Sequence, residues 1–321
     1  MQGDRISIFV VCITTSIILD KGLAAIFDVT TFGASGDGVL GNIIAHQNTT
    51  KWTWCENNSW LYFNGVTGLV INGTGHINGR GASWWNIIEI DPDHKTMHFN
   101  SCNDLQLNGV NLVNSSRNHI SITFSKRVTI SNITTIAPED SPNTDGIDLS
   151  NSHQVQIQNS TFQTGHGISV GSLGVDATFA TVENINIRNC TLLGTQNGVR
   201  IKTWQGGMGF ARFIHFENIR LIDVRNPIII DQFYCNGAHD CGIKPNAVQV
   251  SNVTYKDVFG TTASKIAVNL NCSDNSTACT NLLFQQINIT SALPHQQTIA
   301  ACNNAHGKNF STLPTITCLK T

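Results

Sequence analysis

Four short stretches concentrate the side chains able to move protons or hold an anion. "NTDGIDLS" (143–150) supplies Asp145, "TGHGISVGS" (164–172) supplies His166, "NGVRIKTW" (197–204) supplies Arg200 and Lys202, and "NPIIIDQFYC" (226–235) supplies Asp231 and Tyr234. A carboxylate beside an imidazole can pass a proton, and two neighbouring cations can hold a carboxylate through charge-assisted hydrogen bonds. Together they suit an acidic substrate and leave the reaction type open. Each residue also has a plainer reading. His166 could be a turn histidine bonded to backbone, and Arg200 with Lys202 could be a solubilising pair on an exposed strand.

What would bring these residues together is a repeat. Apolar–x–apolar–x–Asn/Gly/Gln recurs as "LVING" (69–73), "LQLNG" (105–109), "VTISN" (128–132), "VQIQN" (155–159), "INIRN" (185–189), "IHFEN" (214–218), "VQVSN" (248–252) and "LLFQQ" (282–286). From "LQLNG" onward the copies are 23, 27, 30, 29, 34 and 34 residues apart. Period-two alternation marks each as a strand, and each is followed by a second strand-like run. No stretch carries a helical period. Irregular spacing of one short-strand unit predicts a solenoid with variable loops, an all-β, right-handed parallel β-helix with Val, Ile and Leu in its bore. The competing fold, an antiparallel sandwich, lacks the Asn-Gly hairpin turns it needs.

On such coils Asp145 and His166, which both precede Gly-Ile and lie 21 residues apart, would be neighbours about 4.8 Å apart. Strict alternation turns His166 inward with Ile168, but Gly165 and Gly167 permit it to leave the pleat. Alternation also places Arg200 and Lys202 on one face about 6.6 Å apart.

The remaining composition narrows the setting. A formal net charge of −2 argues neither for nucleic acid nor for a membrane surface, and neither is expected as a partner. Arg5 followed by an apolar run from Ile6 to Leu19 and the small residues Gly22–Ala24 read as a signal peptide over 1–24, leaving 25–321 as one domain in a secreted protein. An uncleaved anchor is the minor alternative. Secretion favours disulfides, and close spacing predicts Cys235–Cys241, Cys272–Cys279 and Cys302–Cys318. Nine cysteines follow Cys12, so at least one thiol lacks an intramolecular partner. No C-x-x-C pair or His-rich cluster suggests zinc. Twelve N-x-[ST] sequons, among them Asn48, Asn72, Asn114, Asn275 and Asn309, fit a glycoprotein.

The four stretches named first, with "FDVTTFGASGDG" (27–38), resemble plant polygalacturonases, glycoside hydrolase family 28, over Phe27 to Cys318 with gaps. The resemblance implies a monomeric cell-wall β-helix, needing no cofactor, that hydrolyses α-1,4 bonds between galacturonates in pectin with inversion. It implies Asp145 and His166 as active-site residues, Arg200 and Lys202 as ligands of the substrate carboxylate, and Tyr234 as an aromatic lining the sugar subsites.

Two departures accompany the match. The family carries a coil with "GDDC" between the NTDG and GHG coils, whereas "QTG" (163–165) here runs directly into "HGIS". That removes two carboxylates from a reaction needing an acid and a base, and alternation sends Asp148 to the face opposite Asp145. A large loss of hydrolysis is the expectation. The alternatives are a non-catalytic pectin-binding β-helix, or a truncated gene model of an active polygalacturonase. A calcium-dependent pectate lyase fits the motifs less well. Near the N-terminus, Val39-Leu40-Gly41 leads straight into "NIIAHQNTTKWTWCENNSW" (42–60) without the family's capping helix, which predicts exposed bore and sheet edges prone to aggregation.

Overall fold

Alternating apolar residues are stacked into two parallel sheets by a chain that winds the same way throughout. The computed structural model describes residues 42–45, 59–85, 95–235, 242, 244, 246–274 and 279–321. The leader, most of the N-terminal gap, Cys55, Cys241, Asn48 and Asn275 lie outside the described residues.

One sheet has nine strands: β2 (Ser59–Asn64), β5 (Lys95–Asn100), β8 (Ile120–Thr123), β11 (Asp145–Ser150), β14 (His166–Leu173), β16 (Asn197–Trp204), β18 (Asn226–Tyr234), β20 (Ile266–Asn271) and β22 (Ile299–Asn303), stacked in that order. The second sheet has fourteen. In the N-terminal half each coil gives it two short strands: β3 (Val70–Asn72) and β4 (His76–Asn78), β6 (Gln106–Asn108) and β7 (Asn111–Val113), β9 (Lys126–Ser131) and β10 (Thr134–Ile136), β12 (His153–Gln158) and β13 (Thr161–Gln163). β1 (Asn42–Ile44) pairs with β4. From β15 (Phe179–Leu193) onward the two fuse into one long bent strand, continuing as β17 (Met208–Val224), β19 (Gln249–Thr262), β21 (Cys279–Ser291) and β23 (Ala305–Leu313). The only helix among the described residues longer than a 3-10 turn is the four-residue Ala82–Trp85.

The sequence repeat is one column of this sheet. Val70, Gln106, Thr129, Gln156, Asn186, His215, Thr254 and Leu283 are successive register partners from β3 to β21. Its Asn positions are the corners. Asn132, Asn159, Asn189, Asn218 and Asn252 all have positive φ, which Asn tolerates better than most residues because its short amide bonds locally. Their amides bond between coils, Asn218 to Asn189 at 2.9 Å and Asn189 to Asn159 at 3.2 Å.

Inside, fully buried columns fill the bore. Ile120, Ile147, Ile168, Val199 and Ile228 stack on one wall, and Ile130, Ile157, Ile187, Phe216, Tyr255 and Phe284 on another. Burying each such side chain stabilises by about 1.5–3 kcal/mol relative to leaving it in water. Cys272–Cys279 and Cys302–Cys318 are disulfides as predicted. Cys235 is also disulfide-bonded, while Cys102 and Cys190 are buried free thiols.

Candidate active site

The outer face of the nine-stranded sheet carries the chemistry, because four consecutive strands begin or continue there with polar residues. Asp145 opens β11 and is the register partner of His166, which opens β14; Asn197 of β16 follows directly. No coil lies between the Asp145 and His166 strands. β11 and β14 pair directly in continuous parallel register over residues 145–149 and 166–170, since each coil contacts only its neighbours.

Alternation fails at the glycines, and this decides where the side chains go. A Cβ on Gly146 would stand 2.4 Å from the ring of Phe162, and one on Gly167 would stand 2.2 Å from Leu192, both core residues. The glycines occupy the inward corner, so Asp145 and His166 project outward. After Gly146 the count restarts: Ile147 points in and Asp148 points out. Asp148 is therefore on the same face as Asp145, correcting the expectation that alternation separates them. Its register partner Ser169, and Arg200 as the partner of Ser169, follow along the same column.

Three predicted residues meet on the carboxylate of a fourth, Asp145. His166 Nδ1 lies 2.8 Å from Asp145 Oδ1, while Arg200 Nη2 and Lys202 Nζ lie 3.4 and 3.6 Å from Oδ2. Arg200 is not a solubilising surface residue, and neither is Lys202: their side chains are 11% and 8% exposed, and Asp145 is 4% exposed. Arg200 is held further by Ser169, whose Oγ accepts from Nε at 3.2 Å and from Nη2 at 3.1 Å. His166 is no mere turn residue either. Its Nε2 is 3.2 Å from Gln196 Oε1, its side chain remains 13% exposed, and Thr164 Oγ1 bonds its carbonyl.

Burial alone would raise Asp145, but Lys202, then His166 and Arg200, more than offset it and hold the carboxyl well below the usual carboxylate range. Asp148 behaves oppositely. Burial pushes it up, aided by the charge of Asp145 and opposed by Lys202, Arg200 and Lys95. Two carboxyls of one trough thus have environments that drive their protonation apart.

Tyr234 is Trp204's register partner and meets it edge-on at 5.3 Å; Lys202 Nζ sits 5.4 Å from the Tyr234 ring centre. Asp231 pairs with Lys202 in register but turns its Oδ1 back to the Phe233 amide at 3.0 Å. Behind the trough, His119 is fully buried. Its Nδ1 faces the Asp145 carbonyl at 3.3 Å and its Nε2 the Ile136 carbonyl at 3.2 Å. Sequence reasoning missed Ser169, which lies inside "TGHGISVGS", Gln196, which directly precedes "NGVRIKTW", and His119, which lies in none of the four stretches; Asp148 was legible to anyone who restarted the alternation after Gly146.

The protein is a long parallel β-helix with a carboxylate, an imidazole and two cations on one outer wall. Comparison places it more closely. Residues 38–164 and 154–313 match the model for glycosyl hydrolases family 28, and the chain belongs to that family. It is 40% identical to a probable polygalacturonase of Arabidopsis thaliana, covering 88% of this chain and 67% of the relative. Identity to a polygalacturonase of Malus domestica is 38%, covering 83% and 63%. The chain thus spans about two-thirds of the length of these relatives. Among solved structures, the endo-xylogalacturonan hydrolase of Aspergillus tubingensis superposes with a TM-score of 0.67 at 19% identity, covering 82% of this chain and 80% of that one. The polygalacturonase of Erwinia carotovora gives 0.62 at 19%, covering 84% and 81%. These matches fix the fold as the right-handed parallel β-helix.

Proposed function

We propose that this protein engages polygalacturonate, the acidic backbone of pectin, in the extracellular cell wall, and acts on it as a family 28 glycosidase whose hydrolysis is much weaker than that of its longer relatives. The observation that carries the reading is the convergence of Arg200 and Lys202 on the trough that also holds Asp145 and His166. Two nearly buried guanidinium and ammonium groups favour a visiting carboxylate, and a galacturonate unit brings one per sugar. Arg200 and Lys202 hold that carboxylate, Tyr234 lines the neighbouring sugar, and the Asp145–His166 pair handles protons in an inverting hydrolysis. The weakness follows from Asp145 itself. It is clasped by Arg200, Lys202 and the His166 imidazole and shares its trough with no GDD coil, so it is a poor base and lacks its usual companions.

The same clasp supports a second reading, binding without cleavage. Incubating purified protein with polygalacturonate separates the two. New reducing ends, abolished by Asp145→Asn, support the hydrolase. Oligogalacturonate binding by calorimetry with no new ends supports the binding protein, and an unsaturated ultraviolet-absorbing product would point to a lyase. Neither binding nor products would refute both.

A further inference from the structure

We propose that Asp148 is the second carboxyl group of this trough and holds the proton delivered to the leaving sugar oxygen; the inference rests on the hydrolase reading above. Asp148 lies on the outward column between Ser121 of β8 and Ser169 of β14. Its Oδ2 accepts from Asn118 Nδ2 at 2.9 Å, whereas its Oδ1 is sealed from solvent with no hydrogen-bond partner. A buried carboxylate oxygen without a donor is costly, and a carboxylic acid, which needs fewer donors, is the cheaper state.

The groups facing it do not reverse this. Arg200 spends its Nε and Nη2 on Ser169, and Lys202 reaches Asp145 at 3.6 Å. Asp145, Lys95, Arg200 and Lys202 act on Asp148 through space, and burial outweighs the cations among them. His98, next but one in the column, is occupied by Ser59 and Thr123. Burial and the missing donor thus favour the acid form of Asp148, whereas the neighbouring cations favour the anion of Asp145.

In the reaction, the proton leaves from Asp148 Oδ2, because Oδ1 is sealed from solvent, and passes to the bridging oxygen as the bond from that oxygen to the anomeric carbon breaks. One water adds to that carbon and its proton passes to the Asp145–His166 pair. Two shorter chains result, and solvent carries the proton back to Asp148.

The test compares wild type, Asp148→Asn and Asp148→Glu for reducing ends released from polygalacturonate across pH. Oligogalacturonate calorimetry and thermal melts serve as controls, with carbon-13 NMR of labelled aspartate. Asp148→Asn should melt and bind like wild type yet lose about 10²–10⁴-fold in rate, while Asp148→Glu should recover part of it with a displaced alkaline limb. The Asp148 carboxyl carbon should titrate above the ordinary carboxylate range. Wild-type rates in Asp148→Asn, or an Asp148 carbon titrating at or below that range, would overturn the inference alone. Wild type that binds without cleaving would overturn it and leave polygalacturonate recognition standing. Wild type that neither binds nor cleaves would overturn the reading beneath it as well.

Discussion

Asp145 and His166 face each other across adjacent parallel strands, with the imidazole Nδ1 2.8 Å from the carboxylate Oδ1 and Arg200 Nη2 only 3.4 Å from the same nitrogen. The Asp145 carboxylate balances the Arg200 and Lys202 charges beside it. Asp145→Asn should therefore cost about 3–5 kcal/mol, the usual loss when one partner of a buried ion pair is removed. The pH dependence has a fixed sign. The folded carboxyl is held low, so its contribution is complete above the unfolded value of about 3.9 and fades as pH falls toward the folded one. Urea denaturation should show wild type losing stability in that acid window more steeply than the variant. Equal slopes would mean that the clasp contributes nothing.

Lys202 is the strongest charge opposing the burial of Asp145 and also touches the Tyr234 ring. Lys202→Met keeps most of the stem and removes the charge. Oligogalacturonate affinity should fall roughly 10- to 100-fold, the value of one charge-assisted hydrogen bond of about 1.5–3 kcal/mol. Calorimetry at two salt concentrations adds a second reading. The variant should lose less affinity on salt addition than wild type, because it has one fewer charge to screen. An unchanged affinity would place the substrate carboxylate elsewhere.

His119 makes the backbone of the trough acid-sensitive. Burial lowers its pKa to about 4, against weaker support from the Ile136 and Asp145 carbonyls. The folded state keeps the ring neutral while the unfolded chain protonates near pH 6.5, so stability drops as pH falls between those values. The full drop is about 3 kcal/mol at pH 4. His119→Gln should flatten the stability curve over that window in denaturant titrations. Its neutral-pH stability is a separate matter, since the amide must replace the contacts to two carbonyls. A variant with the wild-type slope would show that another group titrates there.

Much of this was legible beforehand because solenoid sequences write their fold locally. The "VQIQN" class of repeat maps onto one column of strands, and the Asn at its end maps onto a positive-φ corner. The convergence of Asp145, His166, Arg200 and Lys202 followed from stacking the motifs in order. What alternation alone got wrong was Asp148, because a glycine tucked against Phe162 shifts the phase of the strand by one residue. Burial was also out of reach. Arg200 and Lys202 read as exposed cations, and only the neighbouring coils show that they are nearly enclosed. His119 carries no motif at all; its role arises from which carbonyls the fold leaves beside it.

Tyr255 places an unpaired polar atom in the bore. Phe216, Tyr255 and Phe284 stack face to face at 4.9 and 5.0 Å on successive coils, and all three are fully buried. The Tyr255 hydroxyl has no hydrogen-bond partner, and burial raises its pKa far above the ordinary phenol value, so it stays neutral and unsatisfied. Removing that oxygen while keeping the ring should help, since an unpaired buried hydroxyl costs about 1–3 kcal/mol. Tyr255→Phe is expected to raise the melting temperature. Tyr255→Ala, which removes the whole ring from the stack, should cost about 3–5 kcal/mol. Melting both variants beside wild type checks the argument at its two ends. If the Phe variant melts lower than wild type, the hydroxyl has a partner and the stack is not the dry aromatic column described.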